Sequence, residues 1–251
     1  MPAPVRYPSG VTNRPADHVL ASLPVPDPTK HIIFHDDFTS ATISAAGVTG
    51  WHADATGTAV ALAVTDANGG VATTETGSSA NDSSNYQWAT NTTVHEPFKL
   101  QAGKKAWMRV RMKVEDADKD AFHVGMHIAA DDATATEPSD QFMFRGALAT
   151  PDTLQFVAGK TASTEVSIAL GTMADDTWVI LTAYYDGANK VYAWRESADG
   201  TITASGSASV TSSTSGDLLP DTEMTVGFGI ECTDTGADIL SLDYITIIIE
   251  R

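Results

Sequence analysis

"KKAWMRVRMKVED", residues 104–116, alternates between two kinds of side chain along its central part. One alternate set is apolar and consists of Met108, Val110, Met112 and Val114. The other set is mostly basic and consists of Trp107, Arg109, Arg111 and Lys113. A period of two residues is typical of a β-strand with one buried face. The stretch therefore predicts a strand whose apolar side chains enter a core and whose basic side chains face away from it.

The same period recurs on both sides of this strand. "AFHVGMHIA" (121–129) and "MTVGFGIEC" (224–232) each place four large apolar residues on one face and small or polar residues on the other. "TWVILTAYYDGANKVYAWRES" (177–197) contains Asp186-Gly187 between two aromatic-rich runs, which is a hairpin signal. "ADILSLDYITIIIER" (237–251) is apolar on both faces near its end and predicts a central strand. No segment has a sustained helical period, so the fold class is all-β, a two-sheet antiparallel jelly-roll sandwich.

The opening of this body, "KHIIFHDDF" (30–38), brings two acids and two histidines together. Ile32, Phe34 and Phe38 fit one face of an opening strand, and the polar residues fit its other face or a turn. We therefore favour strand-edge and turn roles for Asp36 and Asp37 over a role in a site.

Composition limits the classes of function. The 251 residues carry a net charge of −17, which opposes direct contact with nucleic acid because phosphates attract Lys and Arg. The single cysteine, Cys232, permits no intramolecular disulfide. The N-terminus has no apolar signal-peptide core, and no apolar run reaches the roughly 20 residues that span a bilayer. We expect a protein that folds in the cytoplasm and has no membrane partner.

The chain divides into residues 1–29 and residues 30–251. Seven of the eleven prolines lie in the first segment, which predicts an extended arm because proline fixes φ and disfavours helix in the preceding residue. The alternative is a disordered tail. The arm nevertheless contains apolar side chains that gain little in water, so we favour an arm that lies along a surface of its own subunit or of a neighbour. The arm residues that we expect to contact a partner are Val5, Arg6, Tyr7, Val11, Arg14, Leu20, Leu23 and Val25.

The basic face of the first strand is the second candidate for partner binding. Arg109, Arg111 and Lys113 share this face with Trp107. They could dock an acidic partner, since complementary charges set register and speed association. Alternatively, they form a solvated strand face that is paired with acids across the sheet.

The sequence offers no catalytic pattern, and we predict no cofactor and no metal site. Retaining glycosidases need two carboxyl groups about 5–5.5 Å apart, and no Glu-x-Asp-x-x-Glu pattern is present. "DADKDA" (116–121) has acids at calcium-loop spacing, but Ala121 replaces the required glycine, so a plain acidic turn is favoured. His123 and His127 would lie about 13 Å apart along a strand, too far to share one metal. The five tryptophans could form a sugar platform or belong to the core.

Several phrases together resemble a known group of proteins: "MPAPVRYPSGV", "DPTKHIIFHDDF", "LQAGKKAWMRVRMKV", "ADDTWVILTAYYDG" and "LDYITIIIER". The chain is similar to virion proteins of tailed bacteriophages that have a concanavalin-A-like jelly roll and act in capsid decoration or as cement. The similarity runs from the arm to the last strand and concerns strand phrases, so it supplies no functional residues. It implies a jelly-roll oligomer on a capsid lattice.

We therefore predict a non-enzymatic capsid decoration or cement protein of a phage virion, assembled in the host cytoplasm and located on the capsid exterior. Its expected partners are the major capsid protein and itself, as a homotrimer. The alternative is a lectin-like module on the virion surface that binds carbohydrates or a receptor, and weak glycan binding is compatible with both functions.

Overall fold

The computed structural model describes residues 30–39, 42–57, 60–65, 69–129, 133–134, 136–147, 149–161, 164–212 and 216–251. The arm, residues 1–29, and the eight partner-contacting residues predicted in it lie outside the described residues. The described residues form strands and connecting turns, with no α-helix, and so no helix long and apolar enough to cross a membrane occurs among them.

Eighteen strands follow one another along the described chain. They are β1 (His31–Asp36), β2 (Thr49–Thr56), β3 (Val60–Thr65), β4 (Val71–Glu75), β5 (Ser83–Thr90), β6 (Thr93–Val94), β7 (Ala106–Val114), β8 (Asp120–His127), β9 (Gln141–Ala147), β10 (Thr150–Thr161), β11 (Thr164–Thr172), β12 (Val179–Tyr185), β13 (Lys190–Ser197), β14 (Ile202–Ser209), β15 (Thr211–Ser212), β16 (Gly216–Asp217), β17 (Thr225–Cys232) and β18 (Ile239–Glu250).

Two large antiparallel sheets make up the sandwich. Sheet A has the order β14–β13–β12–β7–β18–β4–β3, and β1 also pairs with β18. Sheet B has the order β11–β10–β9–β8–β17–β5–β2, and β6 pairs with β5. Strand β18 lies between β7 on one side and β4 and β1 on the other, which confirms the prediction of a central C-terminal strand.

The core lies between the two sheets and follows the period-two patterns. The apolar set of β7 is fully buried there, as are its counterparts on β8 and β17. Trp107 does not belong to this core: with Ile248 and Tyr184 it forms a separate cluster on the outer face of sheet A. The predicted fold class, an all-β two-sheet jelly-roll sandwich, is confirmed.

The two acids of "HIIFHDDF" accept hydrogen bonds at the end of the first strand. One carboxylate oxygen of Asp36 accepts a hydrogen bond from the Phe38 backbone N–H at 2.8 Å, and the other accepts one from Trp51 Nε1–H at 2.9 Å. Trp51 is buried against Phe34, with ring centroids 5.9 Å apart. Asp37 accepts hydrogen bonds from Thr39. These are the turn and strand-edge roles expected from the sequence.

Candidate functional site

A row of aromatic rings crosses the outer face of sheet A. We call Trp107, Tyr184, Tyr192 and Trp194 the outer aromatic row. Trp107 on β7 stacks on Tyr184 of β12 with centroids 5.5 Å apart, and Tyr184 stacks on Tyr192 of β13 at 5.8 Å. Tyr192 stacks on Trp194 at 6.0 Å with an interplanar angle of 10°. The row exists because antiparallel register places these residues opposite or next to one another on one face.

A buried ion pair lies beside the row. Arg109 donates to both carboxylate oxygens of Glu196, at 2.8 and 3.1 Å, and to the hydroxyl groups of Thr182 and Tyr244. Arg109 is 8% exposed and Glu196 is fully buried. Burial alone would lower the pKa of Arg109, but the hydrogen bonds that it donates to Glu196 and Tyr244 and the nearby negative charge raise it, so the guanidinium stays charged.

The other two predicted docking cations are also paired within the chain. Arg111 forms an ion pair with Asp243, and Lys113 forms one with Asp176. The Arg111 guanidinium lies 4.4 Å from the centroid of the Trp178 ring, and the Lys113 ammonium lies 5.6 Å from it. The structure thus pairs all three cations of this face with acids of the same chain, on β13, on β18 and in the turn before β12. Whether the three cations contact a partner stays a prediction.

The outer face of sheet B carries a group of buried polar side chains around β8. His123 and His127 project from β8 on this face and are 1% and 0% exposed. Their ring centroids lie 5.2 Å apart, so the estimate of about 13 Å from the strand rise is wrong for the rings. Gly227 and Gly229 on the neighbouring strand β17 leave the space that the two rings occupy. A Cβ atom added to Gly227 would lie only 2.3 Å from His127 Nε2, and one added to Gly229 would lie 2.7 Å from His123 Cε1.

Hydrogen bonds orient both imidazoles. His127 Nδ1 donates to the Ile128 carbonyl at 2.7 Å. The Thr134 hydroxyl donates its proton to Asn85 Oδ1 at 2.9 Å. It can therefore only accept a hydrogen bond from His123 Nδ1, which lies 2.8 Å from Thr134 Oγ1, so Nδ1 carries the proton of the His123 ring. Both Nε2 atoms are then bare acceptors, and they have no hydrogen-bond partner among the described residues.

The environment keeps both rings neutral. Burial lowers the pKa of His127 to about 4, against the usual 6.5. Burial, assisted by the neighbouring His127, lowers the pKa of His123 well below its usual value. The sequence did not predict this pair, because the glycines that leave space for the rings, Gly227 and Gly229, belong to a strand about a hundred residues further along the chain. The glycine alternation of "MTVGFGIEC" was the available signal, because glycines on one face of a strand leave space for side chains of the next strand.

A guanidinium lies beside the histidine pair. Arg145 on β9 donates to the carboxylates of Glu137 and Glu165, and it lines a cavity of about 230 Å³ together with His123 and Thr134. The cavity therefore has a lining that combines the neutral ring of His123 with one arginine, which is paired with two carboxylates, and such polar groups suit a polar ligand.

The three acids of the calcium-like stretch do not converge on one point. Asp116 and Asp118 lie with Asp175, whereas Asp120 lies with Cys232 and Asp238. The loop-type calcium site that spacing allowed is therefore not formed by these three residues.

Comparison with known proteins gives the fold. No family model matches the chain, and no curated protein matches it. Among solved structures, a protein of unknown function from Shewanella oneidensis MR-1 superposes with a TM-score of 0.55 at 16% identity, covering 88% of this chain and 87% of that one. Peanut lectin, solved with a nonapeptide, gives 0.55 at 12% identity, covering 87% of this chain and 97% of that one. The Lotus tetragonolobus seed lectin gives 0.53 at 12% identity, covering 88% and 99%.

These identities are low, so the likeness concerns architecture alone. The chain has the jelly-roll sandwich of concanavalin A and the legume lectins, as the fold prediction stated.

Proposed function

We propose that the chain is a non-enzymatic virion structural protein, a capsid decoration or cement protein. The observation that carries the proposal is the outer aromatic row, in which Trp107 is buried and Tyr184, Tyr192 and Trp194 are half-buried, beside a basic strand whose charges are neutralised within the chain. Tyr, Trp and Arg are enriched in protein interfaces, and unpaired charge is depleted from their centres. The row supports binding to a protein; the virion as the location comes from the sequence resemblance.

The mechanism in this proposal is mechanical. The jelly-roll bodies associate as a homotrimer of 79.2 kDa, three times the chain mass of 26.4 kDa. The arm, residues 1–29, extends over neighbouring subunits of the major capsid protein and ties them together. Several weak contacts held by one oligomer act as a strong attachment because the effective concentration of each further contact is high.

Co-sedimentation with shells that lack the protein tests the proposal. The full chain should pellet with shells, and deletion of residues 1–29 or the double variant Tyr184→Ala/Tyr192→Ala should reduce binding at least tenfold. Ile202→Ala is the matched control, because Ile202 is exposed on β14 of the same sheet but outside the row. Full binding by both the deletion and the double variant would refute the proposal.

A second candidate function, carbohydrate binding, is favoured by the same row. The flat faces of Tyr and Trp rings can pack against the apolar faces of sugar rings, and the fold is that of lectins. A glycan array compares the two functions: specific signals that Trp194→Ala abolishes would favour a lectin-like module, whereas a blank array with shell binding would favour the decoration role.

A further inference from the structure

Three strands bring two acids and the single cysteine together at one end of the sandwich. Asp120 is the first residue of β8 and pairs in register with Cys232, the last residue of β17. Asp238 immediately precedes β18. One carboxylate oxygen from each acid and the Cys232 sulfur all lie within 4.8 Å of one another.

Among the described residues, the carboxylate of Asp120 has no N–H or hydroxyl donor beside it, and its close polar neighbour is the carboxyl group of Asp238. Asp120 is fully buried. Cys232 is fully buried as well. A buried carboxylate without hydrogen bonds or a counter-charge is costly, and such groups in proteins are paired, protonated or bound to a metal.

The surrounding charge is negative. Burial, the charges of Asp238, Asp116 and Asp234, and a hydrogen bond between the Asp120 and Asp238 carboxyl groups raise the pKa of Asp120 to about 8, so a protonated Asp120 is the state with which a metal ion competes. Lys119 is the cation that contacts this region in the described structure, and it is paired with Asp116 at the surface. A bound cation would supply the missing counter-charge at the place where Asp120 and Asp238 face each other.

We propose that Asp120, Asp238 and Cys232 form a binding site for a divalent transition-metal ion of the zinc and cobalt class. Two carboxylates and a thiolate match the borderline-soft ligand preference of these ions, which take three protein ligands and a water in four-coordinate sites. Cys232 Sγ now donates its proton to the Gly236 carbonyl at 3.2 Å. Metal binding would release that proton to solvent and form the metal–sulfur bond.

The donor set argues against calcium. Calcium takes six to eight oxygen ligands, whereas this group supplies two carboxyl groups and a sulfur. The neighbouring group of Asp116, Asp118 and Asp175 is partly or fully exposed and supports no separate site. The assignment departs from our sequence prediction of no metal site, and it does not depend on the proposed function.

Cobalt titration of the full chain, stripped of metal with a chelator, tests the site. We expect one Co²⁺ per chain and a near-ultraviolet sulfur-to-cobalt charge-transfer band. Because Cys232 is the only cysteine, such a band can come only from its thiolate. Cys232→Ser should abolish the band, and Asp120→Asn and Asp238→Asn should weaken Co²⁺ and Zn²⁺ binding at least tenfold by calorimetry.

Asp118→Asn is the matched control, because Asp118 lies in the neighbouring acidic group, and it should bind Co²⁺ like the natural chain. Absence of the band at millimolar Co²⁺ would overturn the proposal and favour a proton shared between Asp120 and Asp238. Binding of Ca²⁺ alone, or Co²⁺ binding that survives Asp120→Asn, would also overturn it.

Discussion

The histidine pair of sheet B predicts that acid destabilises this protein before most of its carboxylates titrate. His123 and His127 are buried, neutral and oriented through Nδ1, and their folded-state pKa values lie below the unfolded value of about 6.5. Below pH 6.5 the unfolded chain therefore binds protons that the folded chain does not. The contribution of the two histidines to the free energy of unfolding then decreases as the pH falls from about 6.5 to about 4.

The size of the effect follows from the pKa of His127. A drop from 6.5 to about 4, at about 1.4 kcal/mol per pKa unit, corresponds to about 3 kcal/mol lost by pH 4 for this residue alone. His123 adds to the loss in the same direction. Near pH 5, where both rings are protonated only in the unfolded chain, the two histidines should contribute a slope that approaches about 2.7 kcal/mol per pH unit.

Urea unfolding at several pH values between 4.5 and 7 measures this slope. The variant His123→Asn/His127→Asn removes both titrations, and the Asn side-chain N–H can take the place of Nδ1–H in the existing hydrogen bonds. Other groups face the pair, namely Arg145 with Glu137 and Glu165, and they remain in the variant, so subtraction isolates the histidines. His35→Asn is the control, because His35 is exposed on β1.

The wild type and His35→Asn should lose more stability below pH 6.5 than the double variant does, and the buried Asp120, whose pKa is raised to about 8, contributes equally to all three proteins and cancels in the difference. An equal pH dependence in all three proteins would refute the assignment of both buried rings as neutral.

Three further changes test the packing of the body. Glu196→Gln should destabilise the protein by about 3 kcal/mol in urea unfolding, because it leaves the buried Arg109 charge without its carboxylate; an unchanged midpoint would mean that this pair is solvated. Gly229→Ala should lower the melting temperature by several degrees, because its Cβ would lie 2.0 Å from a side-chain oxygen on β5; normal melting would contradict the close approach. Trp51→Phe should cost about 1–3 kcal/mol through the lost hydrogen bond to Asp36; wild-type stability would show that Asp36 finds another partner.

The strands and their buried faces could be predicted because apolar and polar residues alternate within each short stretch of the sequence. β7, β8 and β17 have the faces that their residues indicate, and the Asp186-Gly187 hairpin joins β12 to β13. The turn role of Asp36 and Asp37 could also be predicted, since a short acid next to a strand end readily accepts nearby backbone N–H groups.

The candidate sites depend on pairing across the sheets, which local patterns do not specify. The outer aromatic row needs three strands in register, and the group of Asp120, Cys232 and Asp238 joins residues more than a hundred positions apart. The docking role of Arg109, Arg111 and Lys113 could be proposed from charge, but their acidic partners lie on β13, on β18 and in the turn before β12. The arm contacts remain predictions.

Cryo-electron microscopy of shells incubated with the purified full chain tests the decoration role most directly. The account predicts sandwich-shaped density on the outer surface of the shell, in groups of three bodies, and its loss when residues 1–29 are deleted. Bare shells at saturating protein concentration would contradict it.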